Sequence, residues 1–273
     1  MKADLHTHST ASDGQYHPAE VVEYAARAGL NAIALTDHDT VDGLPEALDA
    51  GRRFHVQVIR GVEFSAAEYP CLHILGYAFN PDSPVLNALC LRLREGRAQR
   101  QKRILDYLHS RGIPLTEEQV LQNRDRASTV LSRPHFARVM VRYGYAESVA
   151  DAFARYLGTE EFMRTVERPK PSARECVETI RNAGGHVSLA HPCQLELSDE
   201  ALCELVEKLV SYGLEAVECF YPQHTPAQVH FYRELAARYD LHITGGSDFH
   251  GEQVKPGIEL TPLDLDMEWL GIT

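Results

Sequence analysis

The sequence predicts an α/β protein, a parallel sheet or barrel covered by helices, with a helical insertion in the middle of the chain. Short apolar runs alternate with amphipathic segments over residues 1–82 and again over residues 169–273, which is typical of consecutive β-α units. Only helical patterns occur over residues 83–168. We therefore expect residues 1–82 and 169–273 to form one barrel domain and residues 83–168 to form an inserted helical subdomain.

The first half of the predicted barrel follows directly from the chain's opening. The stretch "ADLHTH" predicts a strand, and "HPAEVVEYAARAGL" predicts a helix because its apolar residues recur three and four apart before a glycine. "NAIAL" predicts a buried strand, "GLPEALDAGRRFH" a helix, and "VQVIRGVEFS" a strand that ends at Glu63. "CLHILGYAFN" predicts a fourth strand, with His73 inside it.

The insertion has only helical patterns, and the second half of the barrel returns to alternating strands and helices. The insertion contains the helical segments "PVLNALCLRLREGRAQRQKRILDYLHSRG", "TEEQVLQNR", "RPHFARVMVRYG" and "SVADAFARYLG". Alternation then returns, with predicted strands in "HVSLAHP", "LEAVECF" and "LHITGGSDFHG". Predicted helices lie before and between them, in "SARECVETIRNAGG", "DEALCELVEKLVSYG" and "PAQVHFYRELAARYD".

Composition limits the classes of function. The apolar fraction of 44% is enough for a full core, and the net charge of −12 argues against sequence-independent binding to long nucleic acid. The six cysteines include no CxxC pair, so we expect free thiols and no cysteine-based zinc site. We see neither an apolar leader nor a run of about 18 apolar residues, and we expect a cytoplasmic protein that does not enter a membrane.

Nine side chains with metal-ligand chemistry lie at or near the ends of the predicted strands. They are His6, His8, Asp13, His38, Glu63, His73, His191, Asp248 and His250. The carboxyl ends of parallel strands meet at one edge, so these side chains are expected to converge. His6 and His8 lie two apart in one strand and therefore face the same side. A His, Asp and Glu set suits manganese, zinc or iron(II), and it is large enough for two or three divalent ions that share a carboxylate.

Other polar residues have more than one interpretation. Asp37 either orients a ligand histidine or caps a strand end. The run "RLREGRAQRQKR" is either a solvated helix face or partly faces the mouth of the site, and Cys193 is expected to be an inert, packed thiol. The histidines expected to be structural are His17, His55, His109, His186, His224, His230 and His242.

Six sequence blocks carry a family resemblance. "DLHTHSTASDG", "LTDHDT", "GVEFS", "HILGY", "LAHP" and "GSDFHG" occur in this order between residues 4 and 251. Together they resemble the PHP (polymerase and histidinol phosphatase) superfamily of metal-dependent phosphoesterases. The resemblance implies a distorted (β/α)7 TIM-like barrel with a trinuclear metal centre. It also implies that His6, His8, Glu63 and Asp248 hold one ion, that Glu63 bridges to a second ion with His73 and His191, and that Asp13, His38 and His250 hold a third.

The insertion resembles one branch of this superfamily. "LSRPHFARVMVRYGYAESVADAFARYLG" is similar to the segment in the branch with 3′,5′-nucleotide bisphosphate phosphatase and the 5′–3′ exoribonuclease RNase AM. This implies that Ser132, Arg133 and His135 contact substrate phosphate, for which a guanidinium fork is well suited. Alternatively, "RPH" only begins a helix with proline in its first turn.

The chain departs from the branch after His191. The branch often has "HPG" with an arginine nearby, whereas this sequence has "HPCQLEL", which places Cys193 and Gln194 there. We expect the missing basic contact to come from elsewhere, with Arg97, Arg100 and Lys170 as candidates. The identity of the substrate is the property that this departure affects.

We therefore expect a metal-dependent phosphoric ester hydrolase that uses two or three Mn, Zn or Fe ions. A metal-bridging hydroxide would attack phosphorus, with Glu63 as the bridge and Asp248 or His250 managing protons. The expected substrate is a small phosphorylated nucleotide such as a 3′,5′-bisphosphate, or the 5′ end of a short RNA. The alternatives are a histidinol-phosphate-type phosphatase, a polymerase-associated proofreading domain and a non-catalytic metal-binding module. The sequence leaves the native metal and the oligomeric state open.

Overall fold

The computed structural model describes residues 1–122 and 133–272. The chain divides into two compact units, the first formed by Met1–Leu91 with Lys170–Thr273 and the second by Arg92–Pro169. Each unit has its own buried apolar core.

Within the described residues, the strands form one sheet in the order β7-β6-β5-β4-β3-β2-β1-β8. Their bounds are β1 Lys2–Thr7, β2 Ala32–Leu35, β3 Gln57–Ser65, β4 His73–Tyr77, β5 His186–Leu189, β6 Ala216–Phe220, β7 His242–Gly245 and β8 Leu263–Asp264. The sheet curls so that its two ends approach each other. The backbone N–H of His8 donates to the Phe249 carbonyl at 2.9 Å, and Thr7 forms a parallel bridge with Phe249. The first unit is therefore a nearly closed barrel, and the predicted distorted TIM-like barrel is confirmed.

The strand directions differ from a fully parallel barrel at β4. The pairs β1–β2, β2–β3, β5–β6 and β6–β7 are parallel, but β4 is antiparallel to both β3 and β5. The expectation of a wholly parallel sheet was wrong here because a seven-residue connection, too short for a crossover helix, joins β3 to β4. The reversal has a useful result, since His73 begins β4 and pairs with Ser65 at the end of β3.

Two further details correct the sequence-based elements. Strand β3 continues past Glu63 to Ser65, so Glu63 lies inside the strand rather than at its end. The short strand β8 pairs antiparallel with β1 and was not predicted.

The helices are α1 Pro18–Arg27, α2 Leu44–Phe54, α3 Pro84–Ser110, α4 Glu117–Gln122, α5 Arg133–Arg142, α6 Val149–Ala152, α7 Glu160–Thr165, α8 Ala173–Asn182, α9 Asp199–Tyr212 and α10 Pro226–Arg238. The helices of the first unit have the amphipathic pattern that covers a sheet. In α1, for example, Val21, Val22 and Ala25 are fully buried. In α10, Thr225 and Gln228 form a capping box at the N-terminus.

The second unit is helical, as its sequence pattern predicts. Its core includes Ile104 and Leu108 of α3, Phe136 of α5 and Phe162 of α7, all fully buried. A π-helical turn over Phe153–Leu157 follows α6, where the sequence suggested one continuous α-helix. Among the described helices, none combines the length and the apolar character that a bilayer span requires.

Candidate metal centre

The nine predicted ligand side chains come together at the edge of the barrel where the parallel strands end. They form four overlapping groups in which the potential ligand atoms lie within 4.8 Å of one another. The groups are His8, Asp13, His38 and His250; His6, His8 and Asp248; His6, Glu63 and His191; and His38, Glu63 and His73. The overlap means that several ligands are shared, which suits neighbouring ions better than one isolated ion.

Glu63 lies at the centre of these groups and is completely buried. Its two oxygens face different imidazoles. Oε1 lies 2.8 Å from His73 Nδ1, 3.1 Å from His191 Nε2 and 3.4 Å from His6 Nε2. Oε2 lies 2.8 Å from His38 Nδ1 and 3.3 Å from His8 Nε2. Glu63 therefore lies beside five of the candidate ligand histidines.

Backbone pairing places two histidines, His38 and His73, on either side of Glu63. The segment after β2 pairs with β3 through two backbone hydrogen bonds. Asp39 N–H donates to the Glu63 carbonyl at 3.0 Å, and Glu63 N–H donates to the Asp37 carbonyl at 3.3 Å. This pairing places His38 beside Glu63. The reversed direction of β4 brings His73 to the other side.

Asp248 forms the second focus of the site. Its Oδ1 lies 3.2 Å from His250 Nδ1, 3.3 Å from His8 Nε2 and 3.7 Å from His6 Nε2. The other ring nitrogen of His250 lies 3.3 Å from Asp13 Oδ1. Asp248 has φ of +53°, a left-handed conformation that costs a non-glycine residue about 1–2 kcal/mol. Such strain is typical of functional sites, where the surrounding structure holds a side chain in place.

The electrostatics of the site follow from burial and from the mixture of charges. Burial opposes the carboxylate form of Glu63, but the neighbouring imidazole of His38 holds its pKa well below the ordinary range. Burial similarly opposes the imidazolium form of His250, but Asp13 and Asp248 raise its pKa to about 10. For His73, burial prevails and lowers the pKa to about 4, which leaves a neutral imidazole suited to metal ligation.

These residues fit a divalent metal ion. His6 Nε2, His8 Nε2 and Glu63 Oε2 are buried and make no hydrogen bond to any of the residues that the structure describes. A buried polar atom that makes no hydrogen bond costs about 1–3 kcal/mol, and coordination would satisfy all three. The His, Asp and Glu donor set suits manganese, zinc or iron(II).

A close backbone contact explains one glycine of the "GGSDFH" stretch. A Cβ at Gly246 would lie only 2.4 Å from His6 Cβ. The chain after β7 can therefore pass directly against β1, which brings Asp248 to His6 and His8. A larger residue at position 246 would push these two ligand-bearing segments apart.

Asp37 supports the site in a different way from either interpretation of the sequence. Its Oδ1 accepts from Ser9 N–H at 2.7 Å and from Ser12 Oγ at 2.6 Å, and its Oδ2 accepts from Ser9 Oγ at 2.7 Å. Asp37 thus holds the loop that leads to Asp13, rather than a ligand histidine.

Sequence reasoning missed Glu218, a completely buried carboxylate in β6. Its Oε1 lies 3.1 Å from His6 Nδ1, and its Oε2 accepts from the backbone N–H of His191 at 2.7 Å. It therefore orients His6 with Nε2 towards the other ligands, as carboxylates commonly do behind metal-binding histidines. The available signal was a glutamate in the middle of the apolar run "AVECF".

The second unit contains Arg133 and His135, whereas Ser132 lies outside the described residues. Arg133 begins α5, donates to Met163 Sδ at 3.2 Å and lies 5.6 Å from the centre of the Phe153 ring. His135 is buried, with 8% of its surface exposed. The role of these residues in substrate binding stays a prediction.

Arginines cluster in this unit. Arg100 donates to the Val166 carbonyl at 3.1 Å and Arg103 to the Glu167 carbonyl at 2.8 Å. Burial, together with the neighbouring guanidinium groups of Arg133 and Arg168, lowers the pKa of Arg100 to about 10. The run that contains Arg97, Arg100 and Arg103 is therefore not simply a solvated face.

The remaining candidates outside the centre have structural surroundings. Lys170, in the first unit, donates to the Pro70 carbonyl at 3.2 Å. Burial raises the pKa of Cys193 to about 11, which agrees with an inert thiol. The seven histidines expected to be structural are absent from the His, Asp and Glu groups found in the described part of the chain. His242, for example, stacks on Trp269 with ring centres 4.7 Å apart.

Comparison with known proteins agrees with this geometry. Residues 4–162 match the PHP domain family. Phosphoribosyl 1,2-cyclic phosphate 1,2-diphosphodiesterase of Eggerthella lenta is 37% identical over 92% of this chain and 95% of its own length. A 5′-3′ exoribonuclease of Haemophilus influenzae is 34% identical over 91% of this chain and 90% of its own length. The 3′,5′-nucleoside bisphosphate phosphatase of Chromobacterium violaceum is 32% identical over 90% of this chain and 86% of its own length.

A solved structure shares the fold as well. The protein assigned as a metal-dependent phosphoesterase from Bifidobacterium adolescentis is 32% identical, with a TM-score of 0.79 over 95% of this chain and 92% of that one. The predicted resemblance is thus confirmed along nearly the whole chain. The chain belongs to the PHP domain family, and it is a metal-dependent phosphoesterase.

Proposed function

We propose that this phosphoesterase hydrolyses a phosphate ester of a small, ribose-based substrate that carries two phosphate groups, a nucleoside 3′,5′-bisphosphate above all. The observation that carries the proposal is the convergence of nine ligand side chains on and around Glu63. The names of two relatives specify a small ribose or nucleoside compound bearing phosphate, and the name of the third specifies 5′-3′ degradation of RNA. The 5′ end of a short RNA belongs to the same chemical class.

The donor set supports a centre of two or three ions of manganese, zinc or iron. Glu63 would be shared between two ions, one with His6, His8 and Asp248 and the other with His73 and His191. Asp13, His38 and His250 would hold a third ion. Divalent ions at such a centre lower the pKa of bound water and neutralise charge on phosphoryl oxygens.

Glu63, Asp248 and His250 have further roles in the reaction. Glu63 keeps the ligand histidines at fixed distances because both of its oxygens face imidazoles. His250 lies between the carboxylates of Asp13 and Asp248. As an alternative to holding the third ion, its imidazole can hold a proton beside these carboxylates. We assign proton handling at the leaving oxygen to Asp248 or His250, as the alternative to metal ligation by that residue.

The arginines of the second unit support phosphate binding by that unit. Guanidinium groups remain charged at neutral pH and bind phosphate oxygens in pairs. In a chain of net charge −12, the cluster around Arg100 is a marked local excess of positive charge. We assign phosphate contacts to Arg133, His135 and Ser132, with Arg100 as a neighbour.

A cyclic phosphodiester is the second candidate substrate. The Eggerthella lenta diphosphodiesterase is 37% identical to this chain, slightly more than the bisphosphate phosphatase at 32%. Both substrates place a second phosphate on a ribose, so the same site can serve either.

The six cysteines are free thiols, which supports a reducing, cytoplasmic location.

The first test is phosphate release from adenosine 3′,5′-bisphosphate with Mn²⁺, comparing wild type with Glu63→Ala and with Glu204→Ala, an exposed glutamate of α9. We expect release by wild type and Glu204→Ala only. Phosphoribosyl 1,2-cyclic phosphate, a 5′-phosphorylated short RNA and histidinol phosphate are assayed in parallel. Full activity in Glu63→Ala would remove the metal-centre assignment, and hydrolysis of histidinol phosphate alone would refute the substrate class.

A further inference from the structure

We infer that Lys255 is a substrate-binding residue whose ammonium group donates to an oxygen of the phosphoryl group that reacts, with Tyr221 and Gln194 as its positioning residues. The inference deepens the proposed function and rests on it. Lys255 carries no signal in the sequence patterns above, because it lies in the irregular segment after β7.

Lys255 reaches the metal centre through Asp248. Its Nζ contacts Asp248 Oδ2 and lies 2.9 Å from the Tyr221 hydroxyl. The two oxygens of Asp248 therefore have separate partners. Oδ1 faces His8 and His250, whereas Oδ2 faces Lys255 and Tyr221. A phosphoryl group bound at the ligand side of Asp248 would thus lie within reach of the ammonium group.

The ammonium group has a donor to spare. Lys carries three N–H donors, and within the described residues the hydrogen bonds of Nζ go to Asp248 and Tyr221. The Lys255 side chain is 23% exposed, so a group arriving from solvent can reach it. A lysine ammonium group is protonated at neutral pH, so the side chain is a charged donor.

Tyr221 and Gln194 hold this ammonium group in place. Gln194 Nε2 donates to the Tyr221 hydroxyl at 2.7 Å, and the hydroxyl donates in turn to Asp248 Oδ2 at 3.3 Å. The hydroxyl thus uses its single hydrogen on Asp248 and accepts from both Gln194 and Lys255. Lys255 Nζ also lies 5.2 Å from the centre of the Tyr221 ring, where the face of the ring attracts a cation.

The network gives Gln194 a role. Gln194 is an amide at the place where a basic side chain was expected, and it cannot supply positive charge. Through Tyr221 it instead positions Lys255, which can. The positive charge beside the centre is thus supplied from the segment after β7 rather than from the segment after β5.

The test compares wild type with Lys255→Met, Lys255→Arg and Tyr221→Phe, with Lys208→Met on the exposed face of α9 as the matched control. Three quantities are measured for each: bound manganese, the affinity of the manganese-loaded protein for inorganic phosphate by calorimetry, and kcat and KM. We expect Lys255→Met to weaken phosphate binding and kcat/KM by about 10- to 100-fold, the range of a lost charged hydrogen bond. Metal content should remain that of wild type.

The other variants give the graded response that a purely structural role would not. Lys255→Arg should recover part of the phosphate affinity, Tyr221→Phe should lose about 2- to 10-fold, and Lys208→Met should equal wild type. Unchanged phosphate affinity in Lys255→Met, or no phosphate binding by wild type, would overturn the inference. Loss of manganese in Lys255→Met would also overturn it, because Lys255 would then serve Asp248 alone. If wild type hydrolyses none of the substrates but the affinities differ as stated, the proposed substrate class fails and the binding role of Lys255 stands.

Discussion

The edge of the barrel and the insertion each concentrate one kind of side chain, but they do so by different structural means. At the barrel edge, imidazoles and carboxylates come from segments as distant as His6 and His250. Strand pairing brings them into overlapping groups whose ligand atoms lie within 4.8 Å of one another. In the insertion, Arg97, Arg100 and Arg103 come from one helix, α3, at intervals of three residues. Metal ligands demand fixed geometry, and rigid strands provide it. The proposed phosphate contacts by long arginine side chains tolerate more freedom.

The largest effect is expected from breaking the barrel edge at His8. This side chain is completely buried, and its Nε2 lies 3.3 Å from both Glu63 Oε2 and Asp248 Oδ1. His8→Ala removes a ligand from two of the overlapping groups, so bound metal should fall and phosphoesterase activity should drop to background. Metal analysis and phosphate release measure both quantities.

Chelation of the wild-type protein should also abolish activity, and adding metal back should restore it. Activity that persists after verified metal removal would contradict the metal-centre assignment.

A smaller effect is expected from Glu218→Gln, which keeps the shape of the side chain and removes its charge. The amide cannot accept from both His6 Nδ1 and the His191 backbone as the carboxylate does. Loss of such a supporting carboxylate typically costs 10- to 100-fold in metal affinity or activity. Metal titration against activity tests this, and Glu218→Asp should recover part of the loss. Wild-type metal affinity in Glu218→Gln would mean that Glu218 only fills space in the core.

The insertion side of the comparison is sharpened by Arg133→Ala. Because Arg133 belongs to the arginine cluster and not to the metal centre, KM for the bisphosphate should rise about tenfold or more while metal content stays constant. Arg142→Ala, at the exposed end of the same helix, is the control. Equal kinetics in Arg133→Ala and Arg142→Ala would show that Arg133 serves the helix alone, through Met163 and Phe153.

The sequence predicted the barrel and the convergence of the nine candidate ligand side chains at its edge, because both depend on short-range patterns. Two-residue spacing places His6 and His8 together, and strand ends meet at one edge whatever the connecting helices do. The reversal of β4 was not predictable from periodicity, since an apolar strand has the same pattern in either direction. His73 nevertheless reaches the centre, because it begins the reversed strand.

The residues that support the centre were harder to predict because their roles depend on long-range contacts. Glu218 contacts His6, 212 positions away, and no local motif records that pairing. Lys255 lies outside any regular element. The contacts of Asp37 with Ser9 and Ser12 depend equally on the pairing of β1 with β2. Sequence patterns locate candidate ligands, whereas the residues that support them become visible only in the assembled barrel.

The smallest effect is expected at a histidine outside both regions. His230 lies on α10, with its side chain 75% exposed and 3.3 Å from Glu234 one turn along. A surface pair of this kind contributes little, so His230→Gln should shift Tm by less than about 2 °C. Metal content and kcat/KM should equal those of wild type. A loss of metal in His230→Gln would mean that imidazoles outside the barrel edge also bind ions, and the separation between ligand and structural histidines would fail.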